Sequence, residues 1–232
     1  MQLFYCPGLQ GGDDFLNSEE SLHCAKVLRK KTGDLIDITD GFGNFYKAQL
    51  SDLNPKKCFF KVLSSQSIPE NNYFVHIAIA PTKSSDRIEW FIEKAVEIGI
   101  DKISFIQTSH SERKSINLER VKKKAISAMK QSVRAFLPEL VQMVDLNKLL
   151  TSGIEDQKFI AHLESPTTEY LENAANPGKS YLLLIGPEGG FSDEELSLAK
   201  ENQFRVVKIG DYRLRTETAG IVGCTTLNQI NH

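Results

Sequence analysis

Cysteine is scarce and scattered in this chain. Cys6, Cys24, Cys58 and Cys224 form no CxxC pair, which argues against a metal cluster and for the reduced thiols of a cytoplasmic protein. Long apolar runs are missing as well. None approaches the roughly 18 residues that suggest a membrane span. The opening ten residues, MQLFYCPGLQ, lack the basic-then-apolar pattern of a secretion signal. Neither GxGxxG nor GxxxxGK[ST] occurs, which weighs against a dinucleotide or nucleoside triphosphate ligand. A strong charge imbalance is absent too, since 28 Lys and Arg face 30 Asp and Glu for a net of −2.

What is present is an ordinary globular composition of 232 residues, 41% apolar and 25% charged, enough for one large domain or two smaller ones. Charge is unevenly spread. Residues 1–70 carry 8 basic and 9 acidic groups, 71–134 carry 12 and 7, and 135–232 carry 8 and 14. The basic middle can make a phosphate footprint if it folds onto one face, or it can simply keep a helix hydrated.

Short strand signals fill the first 70 residues: 3–5, an alternating 35–39, a turn at Asp40-Gly41-Phe42-Gly43, a return strand 45–50 and a further strand 57–63. A short helix is read over 19–28, with Leu22, Ala25, Val27 and Leu28 as its apolar side. This predicts a small β-rich domain, closed or half-closed, and a polar linker over 64–72 sets a boundary near residue 70. Arg29, Lys30 and Lys31 form a basic tip that could hold RNA backbone or serve as a solvated turn.

From residue 73 the periodicity changes. A doubly buried strand (73–80), a helix with an apolar stripe (88–98), a stop at Gly99 and a strand (103–108) predict a right-handed parallel crossover. Trp90, beside Phe91, reads as packing. A helix over 118–131 carries Arg120, Lys122, Lys123, Lys124 and Lys130, and Arg134 follows it. A guanidinium such as Arg134 can clamp a phosphate or base edge in a fixed fork, unlike a lysine. Strands follow at 159–162, 181–185 and 204–209, and a last helix begins near Thr216.

The stretch around which the rest is organised is YLLLIGPEGGF, residues 181–191. A buried strand runs into a glycine turn, and Ser192 with Glu195 reads as the N-terminus of a helix. Paired glycines permit close backbone approach. Glu188 would repel a polyphosphate, so a neutral or cationic ligand is expected. Loops 163–165, 186–190 and 210–218 lie at predicted strand ends, where open α/β sheets take ligands.

LLIGPEGGFSDEE (183–195) followed by LRTETAG (214–220) resembles the bacterial small-subunit ribosomal RNA methyltransferases that modify N3 of a uridine, within the SPOUT superfamily. Upstream, His23 with 26–29, Lys83, Arg87, Lys94 with 97–99, 111–113, and Gln131-Ser132 with Arg134 and Pro138 extend the likeness over nearly the whole chain. The family has arginine where Tyr212 stands here, and Arg213 follows it.

The resemblance implies an α/β fold: a PUA-like β-barrel (1–70) before a trefoil-knotted parallel-sheet methyltransferase domain (71–232) that forms a homodimer. It implies S-adenosyl-L-methionine as cofactor, small-subunit (16S) rRNA near the decoding centre as substrate, in an assembled or nearly assembled subunit, and direct in-line methyl transfer. The implied cofactor residues are Leu163, Glu164, Ile185, Gly186, Pro187, Glu188, Gly189, Gly190, Ile209, Gly210, Leu214, Arg215, Thr216, Thr218 and Ala219. Glu188 could meet the ribose hydroxyls or the cationic end of the cofactor, or cap the next helix. Neutral uracil N3 is a poor nucleophile, so a proton acceptor and a cation are needed. Glu217 is the acceptor candidate, or a residue that orients Arg215; Arg134 and Arg215 are the cations. RNA contacts fall to Arg29, Lys30, Lys31, Arg87, Arg113, Lys122, Lys123, Lys124 and Arg134, with no metal. The alternatives are a related enzyme acting on another rRNA or tRNA base, a non-catalytic RNA-binding assembly factor, and a small-molecule enzyme with a Rossmann-like sheet.

Overall fold

A computed structural model describes residues 2–163 and 169–232. The chain packs as two units, 1–70 with 126–137, and 71–125 with 138–232. Among the described residues no helix is long and apolar enough to cross a membrane.

In the first unit, Leu3–Tyr5 (β1), Leu35–Thr39 (β2), Asn44–Asn54 (β3) and Lys57–Ser67 (β4) form a sheet in that order. β1 pairs with β2 in parallel and the other pairs are antiparallel. Alternation in β2 turns Ile36 and Ile38 into a core with Phe4, Leu16, Cys24, Leu50, Cys58 and Phe60. Cys24 and Cys58 are free thiols, and burial pushes Cys24 up to about 12, so it stays protonated at neutral pH.

Two expectations change here. The segment 64–67, read as linker, continues β4, because β3 offers it eleven residues of partner backbone across two register shifts. The helix Ser18–Leu22 (α1) continues as a π-helical turn, His23–Val27. Of the apolar side expected there, Ala25 and Leu28 pack against the core, whereas Leu22 and Val27 are exposed.

The second unit is built on Phe74–Ile79 (β5), Ser85–Ile98 (α2), Lys102–Gln107 (β6), Leu118–Gln131 (α3), Glu139–Asp145 (β7), Leu146–Ser152 (α4), Gln157–Ala161 (β8), Glu169–Tyr170 (β9), Leu171–Ala174 (α5), Ser180–Ile185 (β10), Asp193–Glu201 (α6), Arg205–Lys208 (β11) and Thr216–Gln229 (α7). All seven strands run parallel, in the order β7-β6-β5-β10-β8-β11-β9. β10 enters between β5 and β8, which makes it the central strand and explains its unbroken burial from Tyr181 to Ile185. The predicted crossover β5–α2–β6 forms, with Ile88, Phe91, Ile92, Ala95 and Val96 buried. Trp90, read as packing, stands off that stripe and is exposed. β7 and α4 had no sequence expectation, because β7 is half-buried at the sheet edge and its apolar signal is diluted.

Helix α7 lies close against the sheet and α2. A Cβ on Gly220 would stand 2.6 Å from the Phe91 ring, and one on Gly223 would stand 2.3 Å from Leu183 Cδ2. Small residues at these two positions set how near the N-terminus of α7 comes to the end of β10.

Residues from Ile126 onward in α3, with the segment to Leu137, belong to the first unit. Val133 ends the helix at φ 56, an unusual conformation for a β-branched residue that costs about 1–3 kcal/mol. The chain then pairs with the β2–β3 turn: Gly43 N donates to Ala135 O at 3.0 Å and Leu137 N to Gly41 O at 2.9 Å. No local pattern signals this pairing, and 126–137 had been expected in the second domain.

Candidate active site

The glycine turn 186–190 continues directly from β10, and side chains from distant segments hold it. Thr216 Oγ1, in the first turn of α7, donates to Gly186 O at 3.0 Å. Arg213 Nη2 donates to Glu188 O at 2.6 Å. His110 Nδ1 lies 3.2 Å from Gly190 O and serves as donor to it. A Cβ on Gly189 would stand 3.1 Å from His110, so glycine permits that approach.

Helix α6 begins with the predicted capping box of Ser192 and Glu195, and Glu195 Oε1 also accepts from Ser109 N at 2.7 Å. Loops after β6, β10 and β11 are therefore joined at the carboxyl end of the sheet. Thr216→Val should keep the shape and lose the bond to Gly186, lowering stability by about 1 kcal/mol in thermal unfolding.

The other predicted loop residues lie as follows. Ile185 and Pro187 are buried, Gly186, Gly190, Ile209, Gly210, Leu214, Thr218 and Ala219 are half-buried, and Glu188, Gly189 and Leu163 are exposed. Leu214 Cδ1 packs 3.9 Å from where a Cβ on Gly210 would be. Glu164 lies outside the described residues. Glu188 does not cap α6, a role that Ser192 fills. Beyond Gly210 the loop is anchored by Asp211, which accepts from the Tyr170 hydroxyl and pairs with Lys208 Nζ at 3.3 Å. The Tyr170 bond first, then Lys208, holds the Asp211 carboxyl below its ordinary range.

Glu217 is buried at the start of α7. Its Oε1 stands 3.7 Å from Arg87 Nε, and its Oε2 has no hydrogen-bond partner among the described residues. Arg215, at the N-cap position of α7, is exposed and makes no ion pair among the described residues. The structure thus pairs Glu217 with Arg87 rather than Arg215, because residues two apart at a helix start point to different sides.

Arg87 had been expected among the RNA contacts. Two others of that group are also engaged: Arg113 donates to Lys83 O at 2.9 Å, and Lys124 pairs with Glu93 at 2.9 Å. Together with Arg120, which pairs with Glu89 at 2.6 Å, this partly neutralises the basic helix. Lys122 and Lys123 are exposed. Arg134 groups with the first unit, as do Arg29, Lys30 and Lys31. Lys30 Nζ donates to Leu35 O at 3.3 Å, and Lys31 N donates to Asp34 Oδ2 at 2.8 Å.

Sequence reasoning gave no role to His110, since a histidine between two serines carries no periodic signal. These loops offer backbone carbonyls and amides at glycines and, at the start of α7, a buried carboxylate oxygen without a partner among the described residues. Such an oxygen repels phosphate and suits a ligand with N–H donors or positive charge.

Residues 69–228, more than half of the chain, match the model of the RNA methyltransferase domain family, and residues 16–63 match that of the RNA methyltransferase PUA domain. The chain is 29% identical over 224 residues to the ribosomal RNA small subunit methyltransferase E of Buchnera aphidicola, covering 92% of this chain and 86% of the relative. A solved protein of Porphyromonas gingivalis described as a probable rRNA-methyltransferase superposes with a TM-score of 0.94 at 37% identity, over 100% of this chain and 98% of the other. A Legionella pneumophila protein solved in complex with the bound cofactor SAM gives a TM-score of 0.88 at 27% identity, with the same coverage.

Proposed function

We propose, from the premise that this chain belongs to the RNA methyltransferase domain family, that it methylates N3 of a uridine in small-subunit (16S) ribosomal RNA near the decoding centre, using S-adenosyl-L-methionine. The observation that carries the reading is the closure of the glycine turn by Thr216 and Arg213 beside the orphaned Glu217 Oε2. The relatives' names support an rRNA substrate, and the Legionella structure supports the cofactor. N3 of uridine follows from the likeness of residues 183–195 and 214–220 to enzymes of that specificity.

The backbone of 185–190, 209–210 and 214–219, with Leu163 and Glu164, would hold the cofactor. When bound, it supplies an electrophilic methyl group on a sulfonium centre. The residues of this chain do the remaining work. Glu217 Oε2 accepts the proton leaving uracil N3, and Arg87, 3.7 Å from Oε1, orients the Glu217 side chain. Arg215 meets the negative charge that develops on O2 or O4. The target base must be unpaired or flipped before it can reach such a site.

The first unit, 1–70 with 126–137, serves as the RNA-holding PUA-like domain. The second unit, 71–125 with 138–232, is the knotted catalytic domain and the dimer interface, in a cytoplasmic homodimer. Arg29, Lys30, Lys31, Lys122, Lys123 and Arg134 supply backbone contacts, and Arg113 and Lys124 contribute to the field. RNA affinity should fall by about 10³-fold between 50 and 200 mM salt in filter binding, since each neutralised phosphate releases counterions.

The decisive experiment is methyl transfer to small-subunit particles lacking the modification, followed by mapping of the methylated atom. Methylation elsewhere than uridine N3 would overturn the specificity. RNA binding without cofactor uptake would favour the assembly-factor alternative.

A further inference from the structure

The turn between β2 and β3 carries a feature that methyl transfer does not use. Phe42 stands at its tip and is 62% exposed, while Asp40, Gly41 and Gly43 around it are buried. A single exposed apolar residue is unremarkable on its own. The support beneath this one is not.

Asp40 accepts from Phe42 N at 2.8 Å, Asn44 N at 3.2 Å, Asn44 Nδ2 at 2.8 Å, Gln10 Nε2 at 2.9 Å and Tyr46 Oη at 3.1 Å. Gly41 and Gly43 take φ 80 and 95, and a Cβ on Gly43 would stand 2.5 Å from the Phe136 ring. Phe42 itself bridges Phe136 in antiparallel pairing, two residues beyond Arg134. A buried carboxylate with five donors and two glycines thus fix the backbone that carries one exposed aromatic ring, paired with the segment that follows Arg134.

A ring carried on a backbone that is already fixed needs no ordering of the main chain when it is covered. Flat and sequence-tolerant, it has the chemistry that takes an unpaired nucleobase. We propose that Phe42 is a base-stacking residue, receiving an unpaired base of the RNA substrate while the Arg134 segment meets the adjoining phosphate. This rests on the reading that RNA is the substrate, and it adds a contact to the first unit that none of its lysines could supply.

The full chain is titrated with a short unstructured RNA of mixed sequence and with a blunt RNA duplex. Phe42→Ala should bind the unpaired RNA about 5- to 100-fold more weakly, the span of aromatic–base stacking, and the duplex unchanged. Phe42→Leu should remain weak, because it restores apolar area without a π face. Phe42→Trp in a Trp90→Phe background should bind as the parent does, and the fluorescence of its one indole should be quenched as RNA is added. Cofactor uptake by calorimetry should be the same in all of them. Wild-type affinity in Phe42→Leu, equal losses on duplex and unpaired RNA, or an indole signal in the Phe42→Trp variant that RNA leaves unquenched would each overturn the proposal. A lower oligomeric state of Phe42→Ala in sedimentation would also overturn it, by making the ring a contact between copies. Failure of the parent chain to bind any RNA would instead sink the substrate reading itself.

Discussion

Glu217→Gln lowers methyl transfer about 10²- to 10⁴-fold, the range for loss of a positioned proton acceptor, while cofactor affinity and fold are retained. The expectation follows from the burial of Glu217 and its unpartnered Oε2. A buried carboxylate oxygen without a donor is costly in the free protein. The substitution removes that charge with almost no change of volume, so the melting temperature should hold or rise. Arg87, half-exposed, remains hydrated when its partner is neutralised. Loss of activity with unchanged or greater stability is the signature of a group retained for chemistry.

Raising the pH should recover part of the lost rate, because uracil N3 then sheds its proton to solvent without help. Single-turnover rates of wild type and Glu217→Gln across pH, with calorimetric titration of the cofactor, test this. Parallel loss of cofactor binding would make Glu217 a structural part of the pocket. Identical pH profiles would remove it from the proton's path.

Asp40→Ala should destabilise the first unit by about 3–5 kcal/mol, since it strands five donors around a buried site. Burial alone would raise the Asp40 pKa. The bonds from the Asn44 side chain, Phe42 N, Gln10 and Asn44 N outweigh that and hold it below the ordinary value of 3.8. The sign of the linkage follows: a carboxylate depressed on folding contributes stability that is complete above its unfolded pKa. That contribution is lost as pH falls through the lower folded value. Wild type should therefore weaken through this acid window, and Asp40→Asn should lose that part of the slope. Urea unfolding as a function of pH, with hydrogen exchange of the Phe42 and Asn44 amides, measures both effects. A cost below about 1 kcal/mol in Asp40→Ala would show that the turn does not depend on its carboxylate.

The legible parts of this protein are those in which one segment carries its own pattern. The stripe of Ile88, Phe91, Ile92, Ala95 and Val96 repeats at helical spacing, and α2 forms there. Ser192 and Glu195 stand three apart, and the capping box closes. Residues 181–185 are uniformly apolar, and β10 is central. Where the reading failed, the deciding partner lay far away. Segment 64–67 became strand because β3 offered it backbone to pair with. Of the apolar side expected on 19–28, Ala25 and Leu28 reach the core and Leu22 and Val27 do not.

The candidate site divides in the same way. Its loops were legible, since glycines and charges at strand ends are a local signal. Its pairings were not: Glu217 with Arg87 spans 130 positions, and the contact of His110 with Gly190 spans 80.

The amino-acid order alone determined the α/β character of the second unit and the glycine turn that follows its central strand. These depend on propensity, periodicity and charge, which act within a few residues. Tertiary structure decided that residues 126–137 join the first unit, that Arg87 rather than Arg215 faces Glu217, and that Phe42 is held in solvent. Each of these depends on which surfaces meet, and the free energy of meeting is shared by residues that carry no record of one another in their local pattern.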